Sequence, residues 1–562
     1  MHLDSSSSYA SSLGWVKGQQ MHSTMMDVPL QVRGLLAHGG RAHAASRVLT
    51  ADDDGAPRSS SFADIAVNSA RLAHALTDLG VRLGTRVGTF MWNNAEHVEA
   101  YFAVPSMGAV LHPLNIRLFP DQVAYIANHA EDRVVLVDNT LLEGFAKLLP
   151  QLRTVQHVVV NGPADLTVLE GTGVMVHDYA ALLAGRGYHY DWPDMDERSA
   201  AAMCYTSGTT GHPKGVVYSH RSIYLHSMAA ALPGGFCLSD ADMVLAIVPQ
   251  FHVLAWGLPY AAFLTGASLA MPDRHLNADR LAEFIAVARP NKAAAVPTVW
   301  GSLLQHVEAT PGADISSLTE AVIGGSACPP ALMEAYDRHG ITLLHAWGMT
   351  ETSPLGTHGR PPAGVSGEEQ MRYRLTQGRI APGVEARLIG PDGAEVPWDG
   401  TSVGELQVRG PWVTGSYHGE PDSDAFDHGW LRTGDVGSIT PDGYLTLTDR
   451  VKDVIKSGGE WISSVALEGH LMSHPSVAEA SVVGVPDEQW GERPLGIVVP
   501  AAGRHVDPSD LRAFLAGRVA RWQLPERWAF VREIPKTSVG KYDKKAMRRA
   551  YAHDDLDVTY VD

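Results

Sequence analysis

Cysteine is scarce: Cys204, Cys237 and Cys328 are the only three in 562 residues, scattered and without metal-ligand spacing. That argues against a disulfide framework or a thiolate metal site, fits a reducing cytoplasm, and leaves small core residues as their role. Positive charge is also in deficit, with 44 Lys and Arg against 62 Asp and Glu and a net charge of −18. A nucleic-acid partner is therefore not expected, because binding a phosphate backbone takes a basic face. An anionic substrate must instead meet locally positive residues. Histidine is plentiful at 26, yet no HExxH or paired-histidine motif organises it into a metal site. A secretory signal is missing too, since the first twenty residues are serine-rich with no apolar core behind a basic start. Long apolar runs are rare. One uncharged stretch, Met243 to Pro272, has the length to span a bilayer, but Pro249, Gln250, His252, Gly257, Pro259 and Gly266 interrupt it. It reads as strand, turn and buried helix, so no integral membrane span is expected.

What is present is a globular composition, 45% apolar and 19% charged, on a chain too long for one core. Residues 1–25, centred on SSSSYASS, read as a disordered extension. Apolar residues at helical spacing (Ile65, Ala66, Ala70, Leu72, Leu76, Leu79) predict a helix that stops at Gly80. Val87–Phe90, Val134–Val137, Leu245–Val248, Ala293–Val296, Ala321–Ile323 and Leu343–Leu344 read as short buried strands, and Ser219–Leu232 as a helix. The alternation predicts α/β layers with largely parallel sheets, whose ligands sit at strand ends. From Gly383 the texture turns to hairpins at Asp-Gly turns, PDG at 391–393 and 441–443, a β-rich subdomain. A stretch of α+β pattern follows Asp449.

Within this frame one stretch stands out, YTSGTTGHPKG at Tyr205 to Gly215. Glycines let backbone amides approach an anion, hydroxyls donate to phosphate oxygens, and Lys214 adds charge. It is not a Walker loop, since no Gly-Lys-Ser/Thr follows at the required distance. Five further stretches follow in order, the first four being GGSA at Gly324 to Ala327, HAWGMTETSP at His345 to Pro354, TGD at Thr433 to Asp435, and DRVKDVIKSGGEWIS at Asp449 to Ser463. The last is PKTSVGKYDKKAMRR at Pro535 to Arg549. Taken singly, a Gly/Ser/Thr turn, a Gly-Asp turn and a lysine-rich tail are ordinary surface features.

In this order, from about residue 30 to 550, they resemble the adenylate-forming enzymes: acyl-CoA synthetases, peptide-synthetase adenylation domains and firefly luciferase. The nearest resemblance is to bacterial medium- and long-chain fatty-acyl-CoA synthetases, including ligases for short methylthio acids. The resemblance implies a large N-terminal domain (26–448), a hinge (449–454) and a small mobile C-terminal domain (455–562). It implies ATP, Mg²⁺ and coenzyme A. Thr206, Ser207, Gly208, Thr209, Thr210, Gly211 and Lys214 would hold phosphates, and Thr206 and Glu351 the metal. Gly325, Ser326, His345, Ala346, Trp347, Gly348 and Thr350 would surround the nucleotide, with Thr350 and Glu351 also catalytic. Asp435 would accept from the ribose hydroxyls, with Arg450 nearby, Lys452 at the pivot, and Lys456 and Trp461 on the nucleotide side. Ser457, Gly458 and Gly459 would line the path of coenzyme A. Lys541 would be the catalytic lysine, a mobile cation for the charge that builds during adenylation.

PQFHVLAW, Pro249 to Trp256, would form the acyl pocket, with His252 near the carboxylate, Trp256 as a gate, and Gly324 beside them. The lack of a charged residue there argues against an amino-acid substrate, whose ammonium would want a carboxylate partner. His212 and Gln250 depart from the family pattern and leave chain length open. The expectation is an AMP-forming acid–CoA ligase for a small-molecule carboxylic acid, a medium- to long-chain fatty acid. Two alternatives stay open: an enzyme that loads a carrier protein or uses a short, methylthio or aromatic acid, and a non-catalytic nucleotide binder. A homodimer and peripheral membrane contact are also left open.

Overall fold

The computed structural model describes residues 23–206, 212–421, 423–458, 460–501, 503–504, 506–536 and 542–561. Of the expected N-terminal extension only 23–25 fall in this range, and all three are exposed. Two seven-stranded sheets organise the large N-terminal domain. The first runs Met175–Asp178, His157–Asn161, Val134–Asp138, Arg86–Phe90, Val110–Pro113, Ala200–Tyr205, Gly215–Ser219. Only its last pair is antiparallel. The second runs Thr342–His345, Glu320–Ile323, Lys292–Ala295, Met243–Ala246, Ser268–Met271, Arg47–Thr50, Arg58–Ser61, again antiparallel only at the end. The sequence VVLVD of Val134–Asp138 is buried throughout, as a parallel strand covered on both faces must be.

The helix Phe62–Asp78 packs against the helices Val32–Ala42 and Ala95–Ser106 in the main core. Its start is fixed by a reciprocal cap: the Asp64 amide donates to Ser61 Oγ (3.1 Å) and the Ser61 amide to Asp64 Oδ2 (2.9 Å). Gly80, at φ 86°, follows its end. The uncharged Met243–Pro272 stretch forms the strand Met243–Ala246, a turn, the helix Leu258–Thr265 and the strand Ser268–Met271. Phe263 of that helix stacks on Phe62 at 3.9 Å and meets Phe102 at 4.2 Å, deep in the main core. Among the described residues no helix is long and apolar enough to cross a membrane. The strand expected over Leu245–Val248 ends earlier, at Ala246, because Ile247 and Val248 leave the ladder and pack into the core. Cys204 and Cys328 are buried as expected, whereas Cys237 is only half-buried, in a turn at φ 51°.

The β-rich part is an eight-stranded antiparallel sheet spanning Thr357–Arg450, packed over Leu388, Leu406, Val408 and Leu445. Both Asp-Gly turns sit where expected, with Gly393 at φ 80° and Gly443 at φ 89°. The small C-terminal domain is built on the hairpin of Val477–Asp487 and Gly491–Pro500, extended by Arg527–Phe530 and Val558–Tyr560. Helices Ser464–Met472 and Pro508–Ala516 share one core with Trp528, and Met547 of Lys544–Ala552 packs in another. Asp449 ties the two domains at the junction, its Oδ2 accepting from the amide and hydroxyl of Ser464, both at 2.5 Å.

Candidate active site

The carboxyl ends of the second sheet open into a cleft of about 1240 Å³ that both domains line. Three strands deliver residues to one wall. Met243–Ala246 leads to His252, Glu320–Ile323 to Gly324 and Gly325, and Thr342–His345 to Ala346, Trp347 and Gly348. This is where ligands bind in such sheets. The glycine wall has no room for side chains: a Cβ on Gly324 would lie 3.1 Å from the Ala346 carbonyl and 3.2 Å from Trp256 Cη2, and Gly325 has φ 84°. A flat ring can therefore approach the backbone here.

The opposite wall carries charge. Lys214 lies 3.0 Å from Glu420 Oε2, donates to Ser423 Oγ at 3.3 Å, and sits 4.7 Å from the centre of the Tyr417 ring. Tyr417 donates to Glu351 Oε1 at 2.7 Å. Glu351 is 6% exposed, and burial holds its carboxyl above the ordinary value, partly offset by the Tyr417 hydroxyl. Asp435 is almost fully buried, accepting from Trp347 Nε1 at 2.8 Å and pairing with Arg450 at 2.7 Å. From the small domain, Tyr542, Asp543, Lys544, Lys545 and Arg548 close the cleft. Arg548 pairs with Asp453 at 3.0 Å and donates to the Lys452 carbonyl at 3.0 Å, while Lys544 pairs with Glu468 at 2.8 Å.

Between the two walls runs an unusual turn. Val253, Leu254, Ala255 and Trp256 have φ of 47°, 56°, 52° and 55°, and Gly257 follows at 74°. Each non-glycine residue held left-handed costs roughly 1–2 kcal/mol, so the surroundings must enforce the turn. His226 packs beneath Gly257, where a Cβ would lie 2.6 Å from its Cε1. Burial pushes the His226 imidazole down to about 3, and its Nε2 accepts from the Leu355 amide at 3.3 Å.

The cleft brings together Thr206, Lys214, His252, Trp256, Gly324, Gly325, Ala346, Trp347, Gly348, Thr350, Glu351, Arg450 and Lys452. Ser326, His345 and Asp435 do not line it. The His345 ring is buried against the Ser326 carbonyl at 3.3 Å, a buttress to the glycine wall. Lys456, Ser457, Gly458 and Trp461 also stand off the cleft. Ser457 accepts from Arg493 at 3.2 Å, and Trp490 covers Gly458 so that a Cβ there would lie 2.8 Å from its ring. Ser207 to Gly211, Gly459 and Lys541 lie outside the described residues. Sequence reasoning misses Tyr417, Glu420 and His226. Nothing in SYHGEP marks the first two, whose segment is seated by long-range contacts, the Thr414 amide donating to the Glu351 carbonyl and the His418 amide to the Gly215 carbonyl, both at 2.8 Å.

The Glu420–Lys214 pair gives a direct expectation. Both side chains are a third to a half exposed, so the pair is worth about 0.2–1 kcal/mol. An anion entering the cleft must draw Lys214 from Glu420. Glu420→Gln should therefore tighten binding of a phosphate-bearing anion by up to about fivefold, measured by titrating pyrophosphate into both proteins. Weakened or unchanged binding would show that Glu420 does not restrain Lys214.

A nucleotide-sized cleft between a layered α/β domain and a small α+β domain, with a bare glycine wall facing a lysine and a buried carboxylate, defines a nucleotide-handling enzyme. The profile of the AMP-binding enzyme family matches residues 37–418, and that of the AMP-binding enzyme C-terminal domain matches 466–541. The chain belongs to the AMP-binding enzyme family. It is 43% identical to a 3-methylmercaptopropionyl-CoA ligase of Ruegeria pomeroyi, covering 94% of this chain and 99% of the relative. It is 42% identical to a long-chain-fatty-acid–CoA ligase of Thermus thermophilus, covering 95% and 99%. Among solved structures it resembles an anthranilate CoA ligase in complex with anthranoyl-AMP, with a TM-score of 0.79 at 25% identity over 94% of this chain and 99% of the other.

Proposed function

We propose that the protein joins a carboxylic acid with an apolar tail to coenzyme A, using ATP and releasing AMP and pyrophosphate. The observation that carries this reading is the cleft itself. It sets an uncharged, apolar turn bearing His252 and Trp256 beside a bare glycine wall, with Lys214 and Glu351 opposite. Family membership and the relatives' names support it. In the first step a carboxylate oxygen of the acid attacks the α-phosphorus of ATP, and the bond from that phosphorus to pyrophosphate breaks. Lys214 would steady the phosphates and Lys541 would meet the charge shared between incoming carboxylate and departing pyrophosphate. Trp347 would cover the adenine and Asp435 would accept from the ribose.

Mg²⁺ fits the donor set. Among the described residues no group of three or more His, Cys, Asp or Glu could cage a metal, so a bound ion needs substrate phosphates as ligands, which is how Mg²⁺ is usually held. Glu351, with Thr206, would supply the protein's oxygens, and the ion would neutralise phosphate charge. In the second step the small domain turns about 449–454, withdraws Lys541 and brings Gly458 and Gly459 to the coenzyme A path. The thiol then attacks the acyl carbon and AMP leaves. A cytoplasmic place of action accords with the free thiols.

The tail of the acid is read from the turn. Medium- to long-chain fatty acids are proposed first. A short thioether acid is the second reading, favoured by the 43% relative and by Trp256 lying against Gly324. Apolar pockets discriminate by roughly 1–3 kcal/mol per methylene, so a broad profile is expected. Trp256→Ala should raise kcat/KM for palmitate relative to butanoate by about tenfold or more, measured from butanoate to palmitate with 3-(methylthio)propanoate alongside. A native enzyme that ignores every alkanoate and takes only the thioether acid would give the second reading. One that takes only amino or aromatic acids would end both.

A further inference from the structure

The apolar wall of the cleft does not end at Val253 and Trp256. It continues through Ala230, Phe236 and Val322, which share one packed core with them. Leu344 lies beside Val322 on the neighbouring strand and also lines the cleft. Polar side chains on this wall are mostly committed. His226 Nε2 accepts from the Leu355 amide at 3.3 Å. Thr357 Oγ1 accepts from the Trp347 amide at 2.9 Å and donates to the Gln377 carbonyl. His358, the next residue on the short strand Thr357–His358, is different. It lines the cleft, yet its Nδ1 is buried with no hydrogen-bond partner among the described residues.

The ring is held firmly. A Cβ on Gly234 would lie 2.8 Å from His358 Nε2 and 2.9 Å from Cε1, so only glycine fits beneath it. Arg360 fixes that turn, donating to the Pro233 carbonyl at 2.7 Å and pairing with Glu320 at 2.8 Å. Burial pushes the His358 imidazole down to about 4, with the charges of Arg379 and Arg360 adding to the fall. At neutral pH the ring is therefore uncharged and offers one N–H and one lone pair. A buried polar atom without a partner carries a cost that a ligand group bonded to it would remove. Such a site separates a substrate bearing a hydroxyl from its analogue lacking one more sharply than an apolar wall separates homologues.

We infer that His358 recognises the far end of the acid, and that the acyl group it fits is an apolar chain carrying an uncharged hydrogen-bonding group, a hydroxyl above all, near that end. This rests on the reading of the protein as an acid–CoA ligase and of the Val253–Trp256 turn as its acyl pocket. A hydroxyl both donates and accepts, so it satisfies either tautomer of the ring. A second carboxylate fits less well. The imidazole is neutral, and the two guanidiniums whose charge reaches it are engaged, Arg360 by Glu320 and Arg379 over the Tyr444 ring at 4.8 Å.

The test uses matched acids on the full chain. Acid-dependent exchange of pyrophosphate into ATP gives kcat/KM for pairs from butanoate and 4-hydroxybutanoate to decanoate and 10-hydroxydecanoate, with the dicarboxylate of each length alongside. In the native protein one chain length should stand out. There the hydroxy acid should equal or exceed its parent, whereas at other lengths the hydroxyl should cost about tenfold. His358→Leu removes both ring nitrogens. The ratio of hydroxy acid to parent at the favoured length should then fall about tenfold or more, while the parent acid itself gains. His358→Gln returns a neutral donor and acceptor and should recover part of the ratio. A merely structural role would lower both acids of the pair together and leave their ratio. A series with no favoured length, a ratio unmoved by His358→Leu, or a dicarboxylate preferred to the hydroxy acid overturns the proposal. Should neither variant fold, the native series decides alone, by the presence or absence of the favoured length. If no acid of any series supports exchange, the ligase reading has failed and the inference falls with it, a result distinct from exchange that ignores the hydroxyl.

Discussion

Lys541→Ala should cut adenylate formation by about 10²–10³-fold, the loss that follows removal of one well-placed electrostatic contact to a developing charge. Thioester formation from supplied acyl-AMP should stay largely intact. The reason is the division of labour between half-reactions: the cation is needed only while negative charge builds between carboxylate and pyrophosphate. Residues Tyr542 to Lys545, which follow Lys541 in the chain, line the cleft with Glu351 and Lys214. Pyrophosphate–ATP exchange reads the first half alone, and coenzyme A added to synthetic acyl-AMP reads the second. Equal loss in both halves would rule out the division.

Glu351→Gln should lower kcat/KM by about a hundredfold at limiting Mg²⁺, with much of the rate recovered as Mg²⁺ is raised. An amide oxygen lacks the full charge a hard dication prefers. The pH dependence provides a second readout. Burial holds the Glu351 carboxyl above its ordinary value, and a protonated carboxyl cannot serve as a ligand. Apparent Mg²⁺ affinity of the native enzyme should therefore fall on acidification at a pH above the usual carboxylate range. Glu351→Gln should lack that fall. A variant with the native metal dependence would remove Glu351 from the metal site.

Much of this was legible in the sequence, for definite physical reasons. Buried parallel strands announce themselves as apolar runs, and VVLVD at Val134–Asp138 is one. The helix over Phe62–Asp78 is visible in the spacing of Ile65, Leu72 and Leu76, and its first turn is set by the Ser61–Asp64 cap. The resemblance of GGSA and HAWGMTETSP to the family's motifs pointed to Gly324, Gly325 and Glu351, and all three line the cleft. The Val253–Trp256 turn was illegible. Valine, leucine, alanine and tryptophan carry no signal for a positive φ, and the packing that meets the turn, such as His226 against Gly257, comes from residues distant in sequence. Tyr417 and Glu420 were equally hidden, since their roles follow from direct contact with Glu351 and Lys214, which are distant in sequence. The bounds of Met243–Ala246 were missed by two residues because Ile247 and Val248 are as apolar as the strand itself and are buried in the core beyond its end.

The central claim is that this cleft adenylates an apolar-tailed acid and passes it to a thiol. It is tested most directly by acid-dependent exchange of labelled pyrophosphate into ATP over a panel of acids, followed on the same samples by adding coenzyme A and quantifying AMP and acyl-CoA. The account predicts exchange that requires both the acid and Mg²⁺, and, once coenzyme A is present, AMP and thioester formed in equal amounts. Exchange followed by no thioester, with the acyl group transferred only to a carrier protein, would contradict the assignment of coenzyme A. No exchange with any acid would contradict the account as a whole.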